Sequence, residues 1–235
     1  MSKVVAINGS PNQEHGNTAM LLTPFIDGMR EAGAEVELVY ASRLDVKPCS
    51  CGAMQCWFAT PGACCVHDDD MQALYPELRS AEVLVIATPV YVPFPGELTN
   101  ILNRIVPLMV PELSFRDGRT RARMRDDVRL RTMAVVVTGG WWEKENADHV
   151  TRIVEDMAET CSVSFGGALV RPHAQVMRSN GRVTADGEEV LRAARTAGRE
   201  LIETGRMHAA TLDAVSRPLL PEEALRQAFA SMLPA

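Results

Sequence analysis

Apolar residues fall along this chain in short unbroken runs that alternate with stretches of helical spacing. The first run, residues 4–7, is apolar throughout. It is followed by Leu21, Leu22, Phe25, Ile26 and Met29 at the three- and four-residue intervals of one helix face, halted by Gly33. A second strand is predicted over 36–40, a helix over 71–78, a buried strand over 83–87 and a helix over 98–108. Then come an apolar run at 133–137, a helix over 147–160 and a weaker strand over 164–170. Strands apolar on both faces belong to a parallel sheet, and sustained βαβ alternation gives a doubly wound five-stranded sheet with helices on both faces. This pattern stops near residue 205, so residues 1–205 read as the sheet domain and 206–235 as a helical extension. In the extension, Pro221, Glu222 and Glu223 open a helix with Leu225, Phe229 and Met232 on one face.

Composition narrows the class. At 235 residues and 46% apolar content the chain can bury one sizeable core. A formal net charge of −6 argues against nucleic acid or an anionic membrane surface as partner. No apolar run has the length of a membrane span and the start lacks a signal-peptide pattern, so a soluble, cytoplasmic protein is expected. Five of the six cysteines crowd between residues 49 and 65, unlike a disulfide framework.

The junction after the first strand reads Gly9-Ser10-Pro11, crosses a polar loop and opens a helix at Asn17-Thr18. Such a turn leaves backbone N–H groups unpaired at the positive end of the helix dipole, where a phosphate satisfies them. Hydroxyls of Ser10 and Thr18, amides of Asn12 and Asn17 and the start of the helix at Ala19 form the expected cradle, with Gly9 and Gly16 allowing close approach. The Gly-Lys-Ser/Thr ending of a triphosphate loop and the three spaced glycines of a dinucleotide turn are both missing, which favours a monophosphate. An ordinary capped helix is the simpler alternative.

In a doubly wound sheet, ligands sit beyond the carboxyl ends of the strands. Two further loops fall there: Thr88, Pro89, Val90, Tyr91, Val92 and Pro93, then Thr138, Gly139, Gly140, Trp141 and Trp142. Backbone groups and aromatic faces in them suit a flat heteroaromatic ring, against the alternative that the aromatics simply pack.

Taken in order, residues 7–11, 16–18, the cysteine cluster before Asp68, residues 87–91 and 137–140 resemble the NADPH-dependent FMN reductases of the flavodoxin-like superfamily, especially their iron–sulfur flavoprotein branch. The resemblance implies a flavodoxin-like fold holding FMN, with its phosphate near Ser10, Asn12, Asn17 and Thr18 and its ring near residues 88–92 and 138–141. It implies NADPH or NADH as co-substrate, a small acceptor such as a quinone or flavin, or a protein acceptor, and a homodimer or homotetramer. An electron carrier docking to a redox partner is the alternative. The flavin carries the chemistry, so no side chain is named as catalytic.

The chain departs from that pattern in two places. The branch spaces its early cysteines two residues apart; here Cys49, Cys51, Cys56 and Cys64 are separated by one, four and seven residues, and Cys65 follows directly. Four thiolates could hold a [4Fe–4S] cluster or zinc, and the alternative is a segment of thiols with neither; the altered spacing favours the last. On the helix at 98–104, where the family often has a lysine before an Asp-Arg pair, the chain has Thr99, Asn103 and Arg104. Elsewhere, seven arginines and three aspartates lie between Arg116 and Arg131, a charge excess that suits the extra phosphate of NADPH or, as the reading adopted, a solvated loop or intersubunit contact. His67 beside Asp68 looks metal-like but reads as part of an acidic helix start, and His15 lies within reach of the phosphate turn.

Overall fold

The computed structural model describes residues 1–58 and 62–231. Its strands are β1 (Lys3–Asn8), β2 (Glu35–Tyr40), β3 (Val83–Pro89), the hairpin β4 (Ser114–Arg116) and β5 (Arg119–Arg121), β6 (Thr132–Thr138), β7 (Ser164–Arg171) and the short hairpin β8 (Arg178–Ser179) and β9 (Arg182–Val183). The helices are α1 (Asn17–Glu31), the short α2 (Gln55–Phe58), α3 (Met71–Ser80), α4 (Gly96–Asn103), α5 (Asp148–Cys161), α6 (Ala185–Thr204), α7 (Ala209–Ser216) and α8 (Glu222–Ala230).

Five strands form one parallel sheet in the order β2-β1-β3-β6-β7, the flavodoxin-like arrangement. Alternation along β1 explains its unbroken apolarity: Val5 and Ile7 enter the layer of α3, α4 and α5, whereas Val4 and Ala6 enter that of α1 and α6. Both layers are dry, so every position must be apolar. The strand order reverses between β1 and β3, which places their carboxyl ends at the switch point where ligands bind.

The expected strands and helices are present, with instructive differences. The helix expected over 98–108 runs from Gly96 to Asn103, and a separate turn at Val106–Leu108 carries Pro107, which lacks the N–H that a continuing helix requires. Helix α6 fills a stretch that the apolar pattern left unassigned. Thr184 caps it by accepting a 3.0 Å bond from the Gly187 N–H, and Gly205 ends it in the left-handed region at φ 77°. It crosses α1 so closely that a Cβ on Gly198 would lie 1.9 Å from the Phe25 carbonyl oxygen, which only glycine allows.

In the extension, α7 buries Val215 completely within the α1/α6 layer. Helix α8 buries Leu225 and leaves Phe229 partly exposed beside Trp141, ring centroids 6.0 Å apart. Met232, expected on the same face, lies outside the described residues. No helix among the described residues is long and apolar enough to cross a membrane.

Candidate functional site

The turn after β1 is shaped from beneath by Asn8, a polar residue fully buried at the end of an apolar strand. Its Oδ1 accepts a 2.9 Å bond from the Ser10 N–H and its Nδ2 donates to the Gln13 carbonyl at 3.4 Å. Ser10 Oγ in turn accepts from the Asn12 N–H at 3.3 Å. Gly16 caps α1 with extended backbone and no side-chain hydrogen bond, and the helix's own bonding begins with the Met20 N–H to the Gly16 carbonyl. The N–H groups of Asn17, Thr18 and Ala19 therefore have no intrahelical partner. A Cβ on Gly16 would come within 3.0 Å of Ser10 Oγ and 3.1 Å of Asn12 Cβ, crowding the turn. This is an anion cradle by construction, and a phosphate monoester such as that of FMN fits it. His15 stands exposed at its rim, 3.9 Å from Glu14.

Hydrogen bonds join the three loops. Thr18 Oγ1 and Thr138 Oγ1, both buried, are 2.8 Å apart and tie the phosphate turn to the loop after β6. The Val90 N–H donates to the Thr138 carbonyl at 2.9 Å, joining the loop after β3 to the same point, and Thr88 Oγ1 bonds to the Pro89 carbonyl. Tyr91 N–H is committed to the Pro93 carbonyl and Gly139 N–H to that of Arg171. Among the described residues of the two ring loops, Val92, Gly140, Trp141 and Trp142 keep backbone N–H groups without a partner. Val92 is almost fully exposed, and Tyr91 and Trp141 are also exposed, so these side chains do not belong to the core.

Behind the third loop lies a polar anchor absent from the expected set. Arg171 is fully buried at the end of β7 with no carboxylate beside it; its guanidinium donates to the carbonyls of Pro172, Val215 and Arg217 at 2.6–2.9 Å. Burial and the neighbouring Arg217 lower its pKa to about 10. His173 Nε2 lies 2.7 Å from Arg171 Nη2 and accepts from the Leu219 N–H at 3.2 Å, while its Nδ1 faces the Trp142 carbonyl at 3.2 Å. Those partners fix a neutral ring with the proton on Nδ1. Burial and then Arg171 hold its pKa down at about 4. Trp142 Nε1 donates to the Leu220 carbonyl at 3.0 Å, so the extension is fastened to the loop that bears Trp141. The sequence signal for this anchor was weak: an Arg and a His two residues apart at a strand end.

The cysteine segment packs against α3, α4 and the turn that follows α4. Cys51, Cys56 and Cys65 bring their sulfurs within 4.8 Å of one another, with Cys56 and Cys65 3.2 Å apart and Cys64 3.8 Å from Cys56. Cys49 is exposed and outside the group. Of the expected Cys49, Cys51, Cys56 and Cys64, the converging group therefore keeps Cys51 and Cys56 and adds Cys65, while Cys64 meets Cys56 alone. Burial pushes the Cys56 thiol up to about 12. Beneath the segment Arg104 forms a two-pronged pair with Asp69 at 2.9 and 3.0 Å, side chains 2% and 1% exposed. Burial pushes the Asp69 carboxyl up, but the bonds from Arg104 and the Lys47 and Met71 N–H groups outweigh it and hold it below the ordinary value. Asp69 thereby serves the helix start and the ion pair, which accounts for the acidic run without a metal.

The arginine run forms the β4–β5 hairpin. Arg121 reaches Glu159 at 2.8 Å, and Arg119 lies within 3.7 Å of both Asp156 and Glu159 on α5. The cavity of about 940 Å³ beside it is lined by Arg131, just before β6, and Ser164, the start of β7. It lies at the amino ends of strands whose carboxyl ends carry the ring loops, about 20 Å away along the strands. Within one subunit these arginines do not meet the phosphate turn.

Comparison with known proteins follows this geometry. The chain is 32% identical over 106 residues to an iron–sulfur flavoprotein of Methanosarcina thermophila, covering 44% of this chain and 52% of the relative. It is 30% identical over 139 residues to an iron–sulfur flavoprotein of Archaeoglobus fulgidus, covering 59% of each. The chain thus spans a little over half the length of the curated relatives it matches. Among solved structures, a putative quinone reductase from Klebsiella pneumoniae superposes with TM-score 0.63 at 17% identity, covering 88% of this chain and 87% of that one. An NAD(P)H:quinone oxidoreductase from Methanothermobacter marburgensis superposes with TM-score 0.57 at 17% identity, covering 85% and 98%. At that identity both superpositions speak to the flavodoxin-like fold. The family model described as NADPH-dependent FMN reductase matches residues 2–181, from the first strand through the anchor behind the ring loops, and the chain belongs to that family.

Proposed function

We propose that this protein is an FMN-dependent NAD(P)H oxidoreductase that passes electrons from a nicotinamide to a small acceptor of the quinone or flavin type. One observation carries the reading: the unpaired N–H groups of Asn17, Thr18 and Ala19 face out of a turn that the Thr18–Thr138 contact at 2.8 Å locks to the two loops suited to a ring. Bound FMN supplies hydride acceptance and one- or two-electron transfer. Ser10, Asn12 and the first turn of α1 bind the phosphate. Residues 88–92 and 138–141 orient the ring, with the backbone N–H groups of Val92, Gly140 and Trp141 as the donors available to its polar edge. Tyr91 and Trp141 shield the reacting face from water and, being exposed at the same end as Val92, suit the approach of a second copy that completes the site.

The relatives' name raises a [4Fe–4S] cluster as a second redox group. Such a cluster gives each thiolate its own iron, so its four sulfurs stand around the outside of a cube. Sulfurs converging within 4.8 Å do not fit it, and no electron path is routed through the cysteine segment.

The test is addition of NADPH or NADH to flavin-loaded protein, followed by a quinone or free FMN. Bleaching of the flavin bands and sustained nicotinamide oxidation are expected. Flavin that stays oxidised would make the protein an electron carrier. In the Ser10→Ala/Thr18→Ala variant the purified protein should hold no FMN, and full occupancy there would remove the phosphate assignment.

A further inference from the structure

Helix α8 lies outside the residues that the family model matches, and its apolar side joins neither of the two core layers. Leu225, buried, and Phe229, 40% exposed, instead line a groove of about 580 Å³ together with Trp141 and Trp142 of the loop after β6. Trp141 is 61% exposed, and its ring is tilted by 34° to that of Phe229 at a centroid separation of 6.0 Å, so the two rings make one aromatic wall. We propose that this groove binds the electron acceptor as a neutral, flat quinone of two or three fused rings, and that Phe229 is a specificity-determining residue for it. The proposal rests on the flavin reading, because the loop that offers the Gly140 and Trp141 N–H groups to the ring is the loop that lines the groove.

The segment leading into α8 is fastened to that loop and to the strand end beside it. Arg171 donates to the Val215 and Arg217 carbonyls, His173 accepts from the Leu219 N–H, and Trp142 Nε1 donates to the Leu220 carbonyl. A buried guanidinium and a neutral buried imidazole thus fix where α8 stands relative to Trp141. The volume is that of a small-molecule site, and its largest side chains are aromatic. Charge narrows the ligand further. Two carboxylates, Glu143 and Glu222, face one guanidinium in the lining, and that guanidinium, Arg226, is already bonded to Glu222 and Glu223. Asn146 is committed to Glu143. Such a lining repels a phosphorylated acceptor such as free FMN and admits an uncharged one. Reduction of a quinone there balances without another reagent: the nicotinamide supplies a hydride, solvent supplies one proton, and the product is the hydroquinone.

The experiment uses flavin-loaded protein and a dimethyl naphthoquinone whose quinone ring has no free position for the exposed thiols of Cys49 and Cys65 to add to. Binding is read without turnover, by equilibrium dialysis of the quinone against oxidised protein in the absence of nicotinamide. Phe229→Ala should raise the quinone Kd by about tenfold through loss of one aromatic partner, and Phe229→Tyr should restore it. In stopped flow Phe229→Ala should show a similarly raised KM for the quinone, while NADPH bleaches its flavin at the rate of the unaltered protein. Free FMN should be about fivefold poorer in kcat/KM than riboflavin, which has the same ring without the phosphate. An unchanged quinone Kd in Phe229→Ala overturns the proposal, as does a preference for free FMN over riboflavin. Loss of bound flavin or slower bleaching in that variant overturns it too, by making α8 a support for the ring loop. If neither nicotinamide bleaches the flavin of the unaltered protein, the oxidoreductase reading fails, and the dialysis still decides whether the groove takes a quinone.

Discussion

The phosphate turn and the cysteine segment solve the same problem, gathering polar atoms in one place, in opposite ways. At the turn the side chain of Asn8 is spent inward on the loop and that of Thr18 on Thr138, while Ser10 Oγ accepts from the Asn12 N–H and keeps its proton to donate beside the backbone N–H groups fixed by the start of α1. In the cysteine segment the backbone N–H groups are spent inward on sulfur, and the side chains converge. The first site is as rigid as the strand–helix junction that makes it. The second depends on what holds an irregular loop in place, and the buried Asp69–Arg104 pair, which also carries the Lys47 carbonyl and N–H, does that.

Breaking that support should give the largest effect. In Asp69→Asn the amide oxygen can still accept hydrogen bonds, but the guanidinium of Arg104 is left buried without a counter-charge. A loss of about 3–5 kcal/mol is expected, measured by chemical denaturation. If the two sites act separately, the folded fraction of this variant binds FMN normally while its cysteines react much faster with a thiol reagent. Equal weakening of flavin binding would join the two regions.

The same contrast explains what could be read in the sequence. Buried parallel strands and their helices announce themselves by apolar runs, and a strand ending in Gly-Ser-Pro before Asn-Thr forces the backbone donors into one place whatever the side chains do. The turn and the two loops at Thr88 and Thr138 were therefore legible. The convergence of Cys65 in place of Cys49 was not, because spacing on an irregular loop does not say which way each Cβ points. The Arg171–His173 anchor was hidden for a related reason: its partners are carbonyls of the extension at Val215 and Arg217, more than forty residues on. Helix α6 went unassigned although Thr184, Asp186 and Gly205 mark its ends, since alanine and glycine supply much of its buried face.

The flavin end should respond to pH in a way the cysteine end does not. His173 titrates at about 4 in the folded protein against an ordinary 6.5, so between those values the unfolded chain binds a proton that the folded chain refuses. The stability tied to neutral His173 is complete above pH 6.5 and is lost as the pH falls toward 4, by up to about 3 kcal/mol. Arg171 and Arg217 stay charged throughout. Carboxylates also destabilise acidified protein, so the informative quantity is the difference between the unaltered protein and His173→Gln. The variant should be less stable at pH 7 and lose less on going to pH 4.5. Parallel curves would exclude His173 as the sensitive group and leave the extension's attachment to Arg171 and Trp142.

The smallest expected effect is the sharpest probe of a backbone site. Gly16 has φ −80° and ψ 162°, a conformation any residue adopts, so alanine there brings no backbone strain. Its methyl would stand 3.0 Å from Ser10 Oγ and 3.1 Å from Asn12 Cβ, two groups of the phosphate turn. The cost to folding should stay below about 1 kcal/mol, because Asn12 is exposed and can shift by a few tenths of an ångström. The cost to FMN binding should be larger, about tenfold in Kd or some 1.4 kcal/mol, because a phosphate must occupy the space the methyl takes. Riboflavin, which lacks the phosphate, supplies the control. Gly16→Ala should weaken FMN and leave riboflavin binding unchanged, whereas equal loss of both would mean that the methyl acts on the ring loops through Thr18 and Thr138, and that the turn does not read the phosphate.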